Sequence, residues 1–182
     1  MSKKSILNFF TLEFPCGGGE AFIENEIPYT ASQFDKVFIY PFNSSAELYR
    51  KMPDNVEVVK KIASTGFLSK SIWFQNLGLI LKILIKEFFS TPQKSFFLKK
   101  IKYWNILIVN AIQDLAFLKQ QATKTGVPLK EQTFYSFWMN EWALVLAIAK
   151  DKGLIKEFVI RSNGFDIFDE RREGNYLSLI HI

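Results

Sequence analysis

Cysteine and histidine are almost absent from this sequence. Cys16 is the one cysteine and His181 the one histidine among 182 residues. A single cysteine excludes an internal disulfide framework and is compatible with a reducing compartment, so we expect a cytoplasmic protein. These two residues cannot form a Cys/His metal site, and any Ser-His-Asp triad would have to include His181. The sequence therefore gives no support to a metalloenzyme or a hydrolase.

Long uninterrupted apolar runs are also missing. The most apolar stretch, residues 72–89, is interrupted by five polar or charged side chains. It falls short of the roughly 18 apolar residues that a membrane span needs. Residues 6–12 lack the features of a signal peptide, including a small-residue cleavage site. We expect neither a transmembrane helix nor a signal peptide, and the net charge of +5 does not by itself indicate a nucleic acid.

Apolar segments and helical patterns alternate along the chain, and 48% of its residues are hydrophobic, enough for a real core. We predict strands at 5–12, 35–42, 56–59, 133–137 and 157–161. We predict helices around 22–27, from 68 to 124 with a break near Thr91 and Pro92, and at 141–150, with Pro28 kinking or shortening the first. Buried strands interleaved with helices indicate an α/β fold with a Rossmann-like, doubly wound, mainly parallel sheet, helices on both faces and a long helical insertion.

A glycine-rich turn, Pro15–Glu20, separates the first predicted strand from the first predicted helix. Three glycines let a ligand approach the backbone, and the following helix start offers unpaired N–H groups. This predicts a site for an anionic or multiply hydroxylated ligand; the alternative is a tight turn whose glycines serve packing. The spacing misses the dinucleotide fingerprint because Phe22 stands at its last glycine position, which disfavours a nicotinamide-dependent oxidoreductase. The candidate binding residues are Gly17, Gly18, Gly19 and Glu20.

A polar segment, Arg161–Asp166, follows the last predicted strand directly. The carboxyl ends of parallel strands meet at one edge of a sheet, so we expect this segment to share a cleft with the glycine-rich turn. The alternative is an Asn-Gly turn beside an exposed run of charges. The candidate binding residues here are Arg161, Asn163, Gly164 and Asp166.

Two further regions are rich in aromatic side chains. The segment 134–142 favours either stacking on a sugar ring or, more simply, core packing. The region 73–104 mixes lysines with bulky apolar residues. It suits either contact with an anionic membrane surface or a helix packed on the sheet with its lysines in water. No nucleic-acid-binding motif accompanies it, so we expect no nucleic-acid partner.

The glycine-rich turn, part of the first aromatic segment and the polar segment occur in a fixed order. Residues 14–27, 135–140 and 161–171 carry this order, which extends over nearly the whole chain up to Tyr176. It resembles the N-terminal domain of bacterial glycosyltransferases of family 4. The resemblance implies a GT-B fold, in which two Rossmann-like domains face a cleft, the N-terminal one holding the acceptor and the C-terminal one the nucleotide-sugar. It also implies retention of configuration at the transferred sugar.

The resemblance further implies roles for individual residues. The three glycines, 17 to 19, match a loop that lines the cleft near the donor phosphates, and Asn163, Gly164 and Asp166 match a segment that faces the reacting sugar. The family usually carries histidine at the position of Asn163. An amide can hydrogen-bond a sugar hydroxyl but cannot act as a base near neutral pH.

On this resemblance, residues 1–176 are expected to be the acceptor-side domain of a retaining glycosyltransferase of surface polysaccharide assembly. The acceptor would be a glycan or a lipid-linked molecule. The donor-binding domain, with its paired glutamates and nucleotide contacts, would lie outside this chain. We therefore expect no metal and no cofactor here, a nucleotide-sugar bound only through the other domain, and an inactive chain on its own. Peripheral contact with the inner face of the cytoplasmic membrane is a further expectation. The alternative is a non-catalytic membrane-surface or protein-binding module.

The last six residues, 177–182, read LSLIHI. They are similar to the in-frame translation of a transposon-end adapter used in preparing sequencing libraries. We therefore expect this tail to be non-native, and no role is assigned to His181, which lies inside it.

Overall fold

Five parallel strands form one sheet in the order β3-β2-β1-β4-β5. The computed structural model describes residues 5–44, 50–61, 70–90 and 94–162. The strands are β1 (Ile6–Thr11), β2 (Lys36–Pro41), β3 (Val56–Val58), β4 (Thr133–Ser136) and β5 (Val159–Ile160). The helices are α1 (Ala21–Ala31), α2 (Lys70–Gln75), α3 (Leu77–Ser90), α4 (Lys94–Thr125) and α5 (Glu141–Asp151), with a 3₁₀ turn at Leu129–Glu131. The predicted Rossmann-like α/β fold with a long helical insertion is confirmed.

The strand order reverses between β1 and β4. The chain runs outward from β1 to β2 and β3, and then crosses back to place β4 on the other side of β1. In open α/β sheets, ligands bind beyond the carboxyl ends of the strands at such a reversal point. The region beyond Thr11 and Ser136 is therefore where a ligand site is expected.

Both faces of the sheet are covered, which explains why the strands are apolar without alternation. On one face Leu7 and Phe9 of β1 pack with Ile23 and Ile27 of α1. On the other face a larger cluster joins the strands to α3, α4 and α5 through side chains that include Phe10, Tyr40, Phe134, Trp104 and Trp142. The sheet thus lies between α1 on one face and α3, α4 and α5 on the other.

Two details of the helices differ from prediction. Helix α1 is not shortened at Pro28 but continues to Ala31, because the apolar side of the helix stays buried in the core up to that residue. The long helical region is divided at Asn76. Its side-chain amide donates to the carbonyl of Ile72 at 3.0 Å, and its backbone amide is shared between the carbonyls of Ile72 at 3.1 Å and Trp73 at 3.2 Å. The predicted break near Thr91 and Pro92 falls outside the described residues. None of the helices described is both long and apolar enough to cross a bilayer.

Candidate ligand site at the carboxyl edge of the sheet

The glycine-rich turn, the loop after β4 and Arg161 all lie at the carboxyl edge of the sheet. The turn follows β1, and Arg161 follows β5, with β4 between these two strands. Backbone hydrogen bonds continue the sheet into this edge: the amide of Phe137 donates to Phe10 at 2.9 Å, and that of Arg161 donates to Ser136 at 2.9 Å. The sheet order therefore places the glycine-rich turn and Arg161 on one edge.

The carboxylate of Glu20 organises the glycine-rich turn from inside. It accepts hydrogen bonds from the backbone amides of Leu12 at 3.0 Å, Glu13 at 2.7 Å and Phe14 at 2.6 Å, and also from the indole N–H of Trp138. Glu20 is 8% exposed and has a left-handed backbone, with φ of 59°. Its carboxylate thus takes up amides that a bound anion would otherwise use, so Glu20 holds the turn.

Arg50 binds the same turn through the carbonyl groups of its glycines. Its guanidinium donates to the carbonyl of Gly17 at 2.6 Å and of Gly19 at 3.2 Å. It also pairs with Glu24 at 3.2 Å and lies over the ring of Phe14 at 5.1 Å. The turn is therefore held by a buried anion on its amide side and a buried cation on its carbonyl side.

The three glycines differ in how closely they are packed. A Cβ at Gly17 would stand 2.3 Å from a carboxylate oxygen and 2.7 Å from the Cβ of Glu13, whereas a Cβ at Gly18 would meet nothing within 4 Å. Gly17 thus serves close packing, as the structural alternative proposed. Gly18 and Gly19 are exposed, and their amides have no acceptor among the described residues.

Gly17→Ala is expected to lower the free energy of unfolding by about 2 kcal/mol, because the new methyl group must displace Glu13. Gly18→Ala is the matched control and should change it by less than about 1 kcal/mol. Urea unfolding of the two variants measures both effects. Equal losses would contradict the packing difference.

Glu13 also bears on what the exposed part of the turn can bind. Its carboxylate reaches to 3.3 Å from the position of a Cβ on Gly19. A negative charge this close repels a phosphate but accepts hydrogen bonds from hydroxyl groups. Of the two ligand classes predicted for the turn, the surroundings of Gly18 and Gly19 favour the multiply hydroxylated one.

Aromatic rings connect the glycine-rich turn to Arg161. Trp138, which donates to Glu20, lies 5.6 Å from the ring of Phe137, and Phe22 of α1 stacks on Phe137 at 5.3 Å. The guanidinium of Arg161 lies over Phe137 at 4.7 Å and pairs with Glu26 at 2.9 Å. Arg161 is therefore an exposed, ion-paired side chain at the predicted edge. Asn163, Gly164 and Asp166 lie outside the described residues.

A pocket of about 130 Å³ lies at the same edge, on the face of the sheet that α4 and α5 cover. Phe42, just after β2, and Glu141, at the start of α5, form part of its wall. Helix α4 contributes the rest: Tyr103, Ile106, Leu107, Asn110, Ala111 and Asp114. The pocket therefore opens where the strand order makes a ligand site expected.

A buried ion pair lies beside this pocket. The ammonium of Lys61 is 2.7 Å from the carboxylate of Asp114, and the two side chains are 7% and 5% exposed. Lys61 also lies over the rings of Phe42 at 5.1 Å and Trp142 at 5.6 Å. Its ammonium thus connects α4 to the start of α5.

Two carboxyl groups of the pocket have raised pKa values. Burial raises the pKa of Asp114, and Lys61 offsets this only in part. Burial also raises the pKa of Glu141; the Glu141 backbone amide and Lys61 act in the opposite direction, and the negative charge of Asp114 adds to the rise. The side-chain oxygen of Asn110 is buried and has no hydrogen-bond partner in the described structure. These three side chains offer acceptors to a ligand that brings hydroxyl groups.

Glu141→Gln is expected to flatten the dependence of stability on pH. A raised pKa means that the folded protein binds the proton more tightly than the unfolded chain does, so Glu141 stabilises the fold below its unfolded pKa, near 4, and this contribution is lost as the pH rises through the folded pKa. The wild type should therefore lose more stability than the variant above about pH 4. Urea unfolding of both proteins at a series of pH values measures this, and parallel curves would contradict it.

The pocket residues and Arg50 were not among the predicted site residues. One signal was present for Arg50: only four of the 23 basic residues are arginines, and arginine suits a buried site that offers several acceptors. Another was Asp114, an acidic residue within an apolar helical stretch. Lys61 and Glu141 carry no such signal, because they come together only in the folded chain.

Comparisons with protein-family models, with curated proteins and with solved structures found no match to this chain. Among the described residues, no group of three or more histidine, cysteine, aspartate and glutamate side chains is placed to hold a metal ion. Function is therefore inferred from the fold, the glycine-rich turn and the pocket.

The aromatic segment 134–142 mainly packs in the core, where Phe134, Phe137 and Trp142 are at most 1% exposed.

Proposed function

We propose that this chain is the acceptor-side domain of a retaining glycosyltransferase that uses a nucleotide-sugar donor. The observation that carries the proposal is the placement of both the pocket and the glycine-rich turn at the carboxyl edge of a parallel sheet, where the strand order reverses. The motif order of the sequence supports it independently. In such an enzyme this edge would face the donor-binding domain.

The pocket is proposed to bind the acceptor through its hydroxyl groups. Asn110, Asp114 and Glu141 would accept hydrogen bonds from a glycan or from the sugar of a lipid-linked acceptor. Tyr103, 42% exposed in the pocket wall, offers a ring face on which a sugar can stack. The exposed amides of Gly18 and Gly19 would contact hydroxyl groups nearer the second domain.

Catalysis is proposed to need that second domain. Transfer from a nucleotide-sugar requires positive or dipolar groups fixed around the departing diphosphate, and such groups normally supply a large part of the rate enhancement. Around the glycine-rich turn, Arg50 is buried and occupied by backbone carbonyls, and Glu13 and Glu20 are acidic. The isolated chain is therefore expected to bind an acceptor without transferring sugar.

The first test is the source DNA beyond the codon of Tyr176, read through in long reads. The proposal expects the reading frame to continue into a second α/β domain that carries two spaced glutamates. That product would then be assayed with a set of nucleotide-sugars and with glycan and lipid-linked acceptors. A stop codon at that point, or transfer by the isolated chain alone, would overturn the proposal.

Acceptor binding is tested on the chain itself. Saturation-transfer NMR with a set of mono- and disaccharides should detect binding that Glu141→Gln weakens about tenfold, the effect of losing one hydrogen bond to a charged group. Glu157→Gln, an exposed change in the segment that precedes β5, is the matched control and should bind as the wild type does. Equal binding by both variants would remove the pocket from the acceptor site.

A further inference from the structure

Helix α3 is apolar on the side that faces away from the core as well as on the side that packs into it. Leu81, Ile85 and Phe89 are 45%, 55% and 77% exposed, and their four-residue spacing aligns them along one side of the helix. We name this row the α3 outer face. The opposite side of helix α3, with Ile80 and Ile83, is buried in the larger core cluster. An apolar side left in solvent on a helix marks a surface that contacts something else.

The neighbouring helices extend this apolar surface. Phe74 of α2 is 69% exposed, and Leu98 of α4 is 66% exposed. Together with the α3 outer face and Tyr103, they are six of the ten large apolar side chains that are exposed among the described residues. Exposed apolar groups are thus concentrated on the helical layer formed by α2, α3 and the first part of α4.

Positive charge is concentrated in the same part of the chain. Residues 58–113 contain nine lysines and one acidic residue, so their net charge is +8, while the whole chain carries +5 and the remainder therefore −3. The one acidic residue, Glu87, is only 4% exposed. Lys82 and Lys86 follow Leu81 and Ile85 directly in the sequence. Lys82 pairs with Asp151 at 2.7 Å, and Lys86 is exposed beside the α3 outer face.

We infer that the α3 outer face and its flanking lysines form a docking surface for an anionic lipid bilayer. An apolar row beside an excess of lysines over acidic residues fits a lipid surface with anionic headgroups and an apolar interior better than it fits a protein surface of mixed charge. Helix α3 has 14 residues and is about 21 Å long, less than the thickness of the hydrocarbon layer. It would therefore lie in the headgroup plane, with Leu81, Ile85 and Phe89 inserted between lipids. This inference does not depend on the proposed enzymatic function.

Vesicle co-sedimentation tests the inference on the whole chain. At low salt the protein should sediment with vesicles of equal parts phosphatidylcholine and phosphatidylglycerol, stay in solution with pure phosphatidylcholine, and be released by high salt. Absence of sedimentation with the anionic vesicles, or equal sedimentation with both kinds, would overturn the inference.

Matched variants locate the surface. Phe89→Ser should lower the apparent partition coefficient roughly tenfold, whereas Tyr29→Ser, at a side chain equally exposed on α1, should leave it unchanged. The charge reversals Lys86→Glu with Lys102→Glu should lower it at least about tenfold, while Lys152→Glu with Lys156→Glu should have a much smaller effect. All of these side chains are exposed, so the variants should fold, and circular dichroism checks this. Equal losses in the control pairs would overturn the assignment of this surface.

Light scattering without lipid tests whether the α3 outer face binds a second copy of this chain and not a bilayer. If the α3 outer face joined two copies of the chain, Phe89→Ser would convert a dimer to a monomer without vesicles present. Under the lipid inference the wild type and Phe89→Ser have the same mass in solution. A change of mass confined to Phe89→Ser would overturn the lipid inference in favour of self-association.

Discussion

Glu20→Ala is expected to lower the free energy of unfolding by about 4 kcal/mol, one of the two largest effects of a single substitution in this protein. The change would leave the amides of Leu12, Glu13 and Phe14 and the indole of Trp138 without their common acceptor. Each buried donor that loses its partner costs about 1–3 kcal/mol, less whatever water recovers. Urea unfolding, followed by circular dichroism, measures the loss.

Two further substitutions at this position separate the carboxylate from the backbone. Glu20→Gly also removes the acceptor, but it removes the cost of a side chain in the left-handed region, so it should be about 1 kcal/mol more stable than Glu20→Ala. Glu20→Gln keeps one acceptor oxygen and should fall between the wild type and Glu20→Ala. If Glu20→Ala were within about 1 kcal/mol of the wild type, the carboxylate would not be what holds the turn.

Lys61→Met is expected to lower the free energy of unfolding by about 3–5 kcal/mol near neutral pH, because it leaves the carboxylate of Asp114 buried without its partner. Replacing both residues, as Lys61→Met with Asp114→Leu, removes the buried charges together and should recover most of the loss. Urea unfolding of the two single variants and the double variant forms a double-mutant cycle. Additive losses would show that the two side chains do not act as a pair.

Much of the fold was predictable because it depends on local patterns. The apolar runs at 5–12 and 35–42 predicted buried strands, and the structure has strands at Ile6–Thr11 and Lys36–Pro41, within one residue at each end. Helix α5 began at Glu141 as predicted, where Asn140 accepts a hydrogen bond from the amide of Trp142 at 3.1 Å. Helix α1 extends past its predicted end near residue 27 because Ile23, Ile27 and Ala31 stay buried on either side of Pro28.

The site was less predictable than the fold because its contacts join distant parts of the chain. The position of the glycine-rich turn followed from the strand and helix around it, but its two stabilising partners did not. Trp138 is 118 residues from Glu20, and Arg50 is 33 residues from Gly17. The partner of Lys61 is 53 residues away. No periodicity encodes such pairs, so the sequence indicated the edge of the sheet and only the folded chain indicated which side chains meet there.

The sole thiol of the protein makes the glycine-rich turn accessible to direct kinetic measurement. Cys16 is 2% exposed, and its backbone amide donates to the carbonyl of Glu13 at 2.7 Å, so a thiol reagent reaches it only when the turn opens. The rate of labelling therefore reports the opening equilibrium of this one segment while the rest of the molecule stays folded. A ligand that contacts the turn would slow the reaction in proportion to its occupancy, which makes Cys16 an internal reporter for screening candidate sugars without attaching any label.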